Sequence, residues 1–402
     1  MKVAVKPRAI RVPGYRFAGV ACGLKESGNR DIALIVSDRP AVAVGAFTTN
    51  RVKAAPVVIG QERVQRGRVQ AILVNSGNAN AYTGREGERV ARQLTGLVAE
   101  RLGIDEQLVV PSSTGRIGVQ LPPARMRRGV VAAVRALRPD GFHDALEGMM
   151  TTDAFAKFAV ERVRLDGRLV TVAGLAKGAG MIAPHMATLL VYVLTDARAS
   201  RSALRRMLHT TLPRSFNAIV VDGDMSTNDT ILLLANGAAG NRTVTPGTRG
   251  YAALADAVGR VMLGLARMIV KDGEGATKLI DIVVRGARTS RDAARVADAI
   301  ARSPLCKTAF YGGDPYAGRI VCAAGYSGAR FDPSKLDVFL DRVQIVRRGR
   351  EVVRAVERRA SRVAAAPEFT LTLDLHAGSG SALRMASDLS VDYVRFNSDY
   401  RT

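Results

Sequence analysis

The sequence predicts an α/β protein with much antiparallel sheet, and three observations carry that expectation. Strand-like runs separated by Gly, Pro and Asn dominate the first eighty residues, helices with a 3.6-residue apolar period follow, and strand-like runs return around a Gly-rich loop in mid-chain. The opening strands are read at Ile32–Val36, Ala41–Phe47, Ala55–Gly60 and Gln70–Val74. Glu86–Leu102 reads as a helix because Val90, Leu94, Leu97, Val98 and Leu102 share a face and Gly103 supplies a stop. A strand at Gln107–Val110 then leads into a Pro111-to-Gly118 loop. Helices follow at Pro123–Leu137, which aligns Met126, Val130, Val134 and Leu137, and at Phe142–Met150. Leu169–Leu175 and Leu189–Thr195 are strands flanking the Gly-rich loop.

Beyond Asp196 the pattern is a helix at Ser202–Leu212, a strand at Ile219–Asp222 and a further helix from Ile231. Tyr251–Val270 is a long helix with Leu254, Val258, Val261, Met262, Leu265 and Ile269 on one stripe. Leu279–Val284 is a strand, and Thr289-Ser290-Arg291-Asp292 caps a helix that runs to Ile300. Leu336–Val346 reads as a strand and a turn, and Phe369–His376 alternates as a half-buried strand does. A smaller C-terminal α/β unit is expected from about Leu279.

At 402 residues, 47% hydrophobic and 24% charged, the chain suits a soluble globular protein. No apolar run approaches the ~20 residues of a membrane helix, and the start has no signal-peptide core. Cys22, Cys306 and Cys322 form neither a metal spacing nor a disulfide framework, so a reducing intracellular compartment is expected. A net charge of +23 raises the thought of a nucleic-acid partner. The arginines are scattered, however, and the dense groups Arg125–Arg128, Arg347–Arg350 and Arg358-Arg359 lack interleaved aromatics. A solvated basic face is the preferred reading, with no specific nucleic acid and no membrane as partner.

The stretch Lys177-Gly178-Ala179-Gly180-Met181-Ile182-Ala183-Pro184-His185-Met186-Ala187-Thr188 carries the chemistry. A cut between Ala187 and Thr188 would leave Thr188 as an N-terminal residue at a strand edge, its hydroxyl a nucleophile and its own α-amine the base. An α-amine titrates at roughly 7.7–8.0, close enough to neutrality to take that proton. Gly178, Gly180 and Pro184 offer the special backbone angles such a loop needs. The plain alternative is a loop-to-strand turn. His185, three residues before Thr188, could in principle serve as a base, although a loop His is more often incidental. Asp222-Gly223-Asp224 with Asn228-Asp229 gathers hard oxygen ligands without the order of a calcium loop, so no metal is expected and a polar turn supporting the loop is preferred. His143, His185, His209 and His376 show no ligand spacing.

That stretch resembles the self-cleavage site of the ornithine acetyltransferase (glutamate N-acetyltransferase) family of arginine biosynthesis. Other blocks resemble the same family in the same order: Asn75-Ser76-Gly77-Asn78-Ala79-Asn80, Ser112-Ser113-Thr114-Gly115, Thr151-Thr152-Asp153, and Ser215-Phe216-Asn217 running on to Asp222–Thr230. Lys271–Thr277, Ser303-Pro304-Leu305 through Lys307–Phe310, and the terminal Asn397–Thr402 complete the set, which spans nearly the whole chain. The resemblance implies an N-terminal-nucleophile-like layered sandwich of largely antiparallel sheets with helices. It implies an α chain, 1–187, and a β chain, 188–402, assembled as α2β2 in the cytoplasm.

The implied reaction moves acetyl from N2-acetylornithine to L-glutamate through an acetyl-Thr188 intermediate, with Thr114 and Gly115 as the oxyanion hole. Thr151 or Thr152, Lys177, Glu274, Asn397 and Thr402 are the implied substrate contacts, Lys177 meeting a carboxylate and Glu274 the ornithine δ-ammonium. No cofactor is implied, acetyl-CoA being an alternative donor, and the positive charge is expected to draw in anionic glutamate as a field. A related self-cleaving amidohydrolase or aminopeptidase, with water as acceptor, is the competing reading. Departures from the family pattern fall at Tyr316-Ala317, at Met385-Ala386, in the absence of Trp, and at Ala179 and Ala183-Pro184-His185.

Overall fold

The computed structural model describes residues 9–183 and 189–399. Its strands in chain order are β1 (Tyr15–Val20), β2 (Ile32–Phe47), β3 (Arg68–Asn78), β4 (Val109–Arg116), β5 (Lys157–Leu165), β6 (Arg168–Lys177), β7 (Leu190–Thr195), β8 (Ile219–Val220), β9 (Thr230–Ala235), β10 (Leu279–Ala287), β11 (Asp337–Leu340), β12 (Val343–Arg347), β13 (Arg350–Glu351), β14 (Glu368–Asp374) and β15 (Gly380–Ser387). The helices are α1 (Ala55–Gln65), α2 (Gly84–Leu102), α3 (Pro123–Arg135), α4 (Phe142–Met149), α5 (Arg201–Thr211), α6 (Arg249–Lys271), α7 (Ser290–Arg302), α8 (Pro304–Gly312), α9 (Gly318–Gly325), α10 (Glu357–Ala364) and α11 (Val391–Asp399).

One sheet runs β4-β3-β2-β9-β7-β6-β5, with β1 added beside β2. All its pairs are antiparallel except β3–β4 and β7–β9. Both faces are buried, because alternate residues of the central strands point into different cores. Val191, Val193, Ile231 and Leu233 pack with α5 and α6, whereas Leu190, Tyr192, Leu232 and Leu234 pack with Phe142, Leu146 and Met149 of α4. The second sheet runs β13-β12-β11-β14-β10-β15-β8, parallel only at β10–β14 and β15–β8, and shares a core with α7 and α9. The expected α/β class, with largely antiparallel sheets layered with helices, is therefore present. Helix α6 joins the layers: it lies along β5 and β6 and also meets β8, β10 and β15.

Local signals explain several ends. Thr289 Oγ1 accepts the Asp292 amide at 3.0 Å to start α7, and Gly103 closes α2 in the left-handed region (φ 65°).

Three expectations need correction. Ala55–Gly60 is the first half of α1, not a strand: Pro56 sits in the first turn, and buried Arg63 ties the helix to Glu106 and the Val109 carbonyl. The run from Ile231 is strand β9, not a helix; a short apolar run buried on both faces fits either element until its neighbours decide. The Pro111-to-Gly118 loop is mostly strand β4, and its edge position in the sheet tolerates Pro111.

Candidate active site

The Gly-rich stretch leaves β6 at Lys177 and rejoins the sheet at β7, and both of its described ends are tied to the 222–230 segment. The Asp222 carboxylate accepts the Met181 and Ile182 amides at 2.6 and 2.7 Å, and the Ile182 carbonyl accepts the amides of Val221 and Gly223. On the other side Asp229 Oδ1 accepts the Leu189 amide at 3.0 Å, and Leu189 returns its carbonyl to the Thr230 amide. Of the acidic residues weighed above as a cation cluster, Asp222 thus gives both its oxygens, and Asp229 its Oδ1, to main-chain amides. Asp229 is fully buried, and burial pushes its carboxyl well above the usual range, opposed by the Leu189 amide. Backbone conformation is unusual here: Gly178 has φ of +150°, and Met181, a non-glycine residue, has φ of +58°. Pro184, His185, Ala187, Thr188 and Thr402 lie outside the described residues.

Thr114 and Gly115 stand at the end of β4, facing Ser76 and Gly77 of β3 across a parallel register. A Cβ at Gly115 would lie 2.4 Å from the Gly77 carbonyl carbon, so only glycine allows this approach. Buried Asn side chains brace the same strand ends. Asn75 Oδ1 accepts the Ser113 hydroxyl at 2.6 Å, and Asn228 Nδ2 donates to the carbonyls of Ala79 and Ser113 at 2.6 and 2.8 Å.

Lys177, 3% exposed, donates from Nζ to Thr114 Oγ1 at 3.1 Å. That bond occupies a lone pair of the hydroxyl and leaves its proton to donate elsewhere. Burial lowers the Lys177 ammonium pKa, while Asp153, Glu274 and Asp229 act to raise it and Lys157 to lower it. Asp153 is the hub beneath. It accepts Lys157 Nζ at 2.6 Å, the Gly178 amide at 2.8 Å and the Thr151 amide at 2.8 Å. Burial would push its carboxyl up, but the ammonium charges of Lys177 and Lys157 and these hydrogen bonds hold it at about 2. Lys157 also meets Asp272, whose carboxyl burial raises against the pull of that lysine.

Glu274 gathers residues from distant parts of the chain. Its amide donates to the Ala179 carbonyl at 3.0 Å, Oε1 accepts the Thr152 hydroxyl at 2.7 Å, and Oε2 accepts Asn397 Nδ2 at 3.2 Å. A Cβ on Gly180 would fall 2.3 Å from Glu274 Oε2, so a side chain there would displace this carboxylate. Of the Thr151-Thr152 pair, it is Thr152 whose side chain reaches Glu274, and both line a cavity of about 430 Å³ with Gly77, Arg116 and Lys25. The structure therefore joins Lys177 to Thr114, and Thr152 and Asn397 to Glu274. Sequence reasoning missed Asp153, Lys157 and Asp272 as the support beneath Lys177. Their signal was position alone, Asp153 directly after Thr152 and Asp272 two residues before Glu274.

Among the described residues no group of His, Cys, Asp and Glu is arranged to hold a metal ion, and no helix is long and apolar enough to cross a membrane.

Comparison with known proteins adds a family. The ArgJ family model matches residues 16–402. The Arginine biosynthesis bifunctional protein ArgJ of Geobacter sulfurreducens is 48% identical over 393 residues, 98% of this chain and 100% of that protein. A crystal structure of the Arginine biosynthesis bifunctional protein argJ from Bacillus halodurans is 37% identical, covering 52% of this chain and 98% of that one, with a TM-score of 0.50. The Mycobacterium tuberculosis ornithine acetyltransferase solved with ornithine is 36% identical, covering 46% of this chain and 97% of that one, with a TM-score of 0.40.

Proposed function

The chain belongs to the ArgJ family of arginine-biosynthesis enzymes, and from that premise we propose that it moves acetyl from N2-acetylornithine to L-glutamate through an ester on Thr188. In the first half-reaction the Thr188 hydroxyl attacks the acetyl carbonyl and its proton passes to the α-amine of the same residue. The C–N bond breaks, ornithine leaves with that proton, and the acetyl group stays on the hydroxyl oxygen. In the second, the glutamate amine attacks the ester, the C–O bond breaks, and the hydroxyl regains a proton. Thr114 and Gly115 serve the oxyanion of both steps.

The observation that carries this reading is the presence of two arrays beside the start of the Gly-rich stretch, at residues 177–180. Lys177 orients Thr114, and Glu274, held by Thr152 and Asn397, offers a carboxylate to a cationic side chain. A free α-amine on Thr188 requires the Ala187–Thr188 bond to be cut. The Bacillus halodurans chain, matched over 98% of its length yet covering 52% of this one, supports processing into halves. The pieces 1–187 and 188–402 would assemble as α2β2 in the cytoplasm. The chemistry needs no bound cofactor, and acetyl-CoA is proposed as a second acetyl donor.

Glutamate acetylation measured separately with acetylornithine and with acetyl-CoA tests the reading. Transfer from acetylornithine is expected; release of acetate with no acetylglutamate would make the protein a hydrolase instead.

A further inference from the structure

Ping-pong transfer sets this site a charge problem. Ornithine brings a cationic side chain and glutamate an anionic one, and both must be read beside the same nucleophile. Glu274 suits only the first. Resting on the acetyl-transfer reading above, we infer that Lys25 reads the side-chain carboxylate of the acceptor and is the specificity residue for glutamate.

Lys25 lines the 430 Å³ cavity that also holds Thr151 and Thr152, and it borders an adjoining 730 Å³ cavity that reaches Asp153. Its stem is seated on the oxyanion strands: a Cβ at Gly77 would lie 3.3 Å from Lys25 Cγ, and Gly77 is the residue packed against Gly115. The loop that carries it is built for rigidity. Asp31, fully buried, accepts the successive amides of Cys22, Gly23, Leu24 and Lys25 at 2.7–3.3 Å. Lys25 Nζ donates to the Arg30 carbonyl, and an ammonium has three donors, so a carboxylate can be bound without breaking that bond. Burial lowers the Lys25 pKa, Asp31 and Asp153 act to raise it, and Lys177 to lower it. Arg116, Glu26 and Asp399 line the same cavity. Of Lys25 and Arg116, it is Lys25 whose stem packs against Gly77.

Three measurements on the full-length gene product decide the matter. Wild type should use glutamate far better than glutamine, which matches it in shape but lacks the charge; equal use would overturn the proposal with no variant needed. Lys25→Met should raise the glutamate KM by about ten- to a hundredfold and erase the preference over glutamine, and Lys25→Arg should restore most of it. Exchange of labelled ornithine with acetylornithine, which involves no glutamate, should change by less than about threefold on the same scale. Equal loss in exchange and in glutamate use would show that Lys25 only shapes the loop. Absence of exchange in wild type would instead overturn the acetyl-transfer reading itself.

Discussion

Lys177 spends one of its donors on Thr114 Oγ1, so in the proposed mechanism its charge would serve the oxyanion donor as well as a substrate carboxylate. Lys177→Met should therefore lower kcat in both half-reactions as well as raise KM, whereas a residue that only bound substrate would move KM alone. Glu274→Gln should weaken acetylornithine more than glutamate, because only the former carries the cation it is proposed to meet; equal losses would make Glu274 a loop residue. Thr188→Ala should abolish self-cleavage and transfer together, and Thr188→Ser should keep part of each, since it retains the hydroxyl and loses the methyl that restricts χ1. Transfer by the Ala variant above background would remove Thr188 from the mechanism.

At the scale of elements, Asp153 fastens β5, the start of the Gly-rich stretch and the Thr151-Thr152 turn into one unit. Asp153→Ala leaves buried Lys157 with Asp272 as its remaining carboxylate and removes the negative charge that faces Lys177; losing one partner of a buried pair costs about 3–5 kcal/mol, which a thermal melt would register as a clear fall in Tm. The pH dependence has a definite sign. A carboxyl held at about 2 in the fold, against an ordinary value of 3.8, adds stability above pH 4 that disappears as pH falls toward 2. Acid titration of wild type and of Asp153→Ala, followed by circular dichroism, should show that increment only in wild type.

Helix α6 and strands β6 and β7 were legible in the sequence because a one-sided stripe and a Gly-bounded apolar run each admit one element. Helix α1 and strand β9 were not, since Ala55–Gly60 and Ile231–Leu234 are apolar runs whose type is decided by packing partners far along the chain. The site shows the same division. Motif blocks pointed to Thr114, Gly115, the Thr151-Thr152 pair, Lys177, Thr188, Glu274, Asn397 and Thr402. The Lys157–Asp153–Asp272 support and the seat of Lys25 on Gly77 exist only once the strands are paired.

For the whole molecule, the basic charge of +23 is spread over many exposed arginines, several paired locally, as Arg89 is with Glu86 and Arg92 with Glu62 and Glu88. Association with DNA should accordingly be weak and vanish at modest salt, and salt-resistant, sequence-selective binding would contradict a solvated basic face. Active protein should separate under denaturing conditions into the pieces 1–187 and 188–402. The central claim, one hydroxyl that first frees its own terminus and then carries the acetyl group, is tested most directly by intact mass. Mature enzyme mixed with acetylornithine and no glutamate should gain one acetyl group on the peptide that begins at Thr188, and adding glutamate should remove it as acetylglutamate. An unmodified Thr188 peptide during turnover, or full-length chains alone in fully active material, would contradict the account.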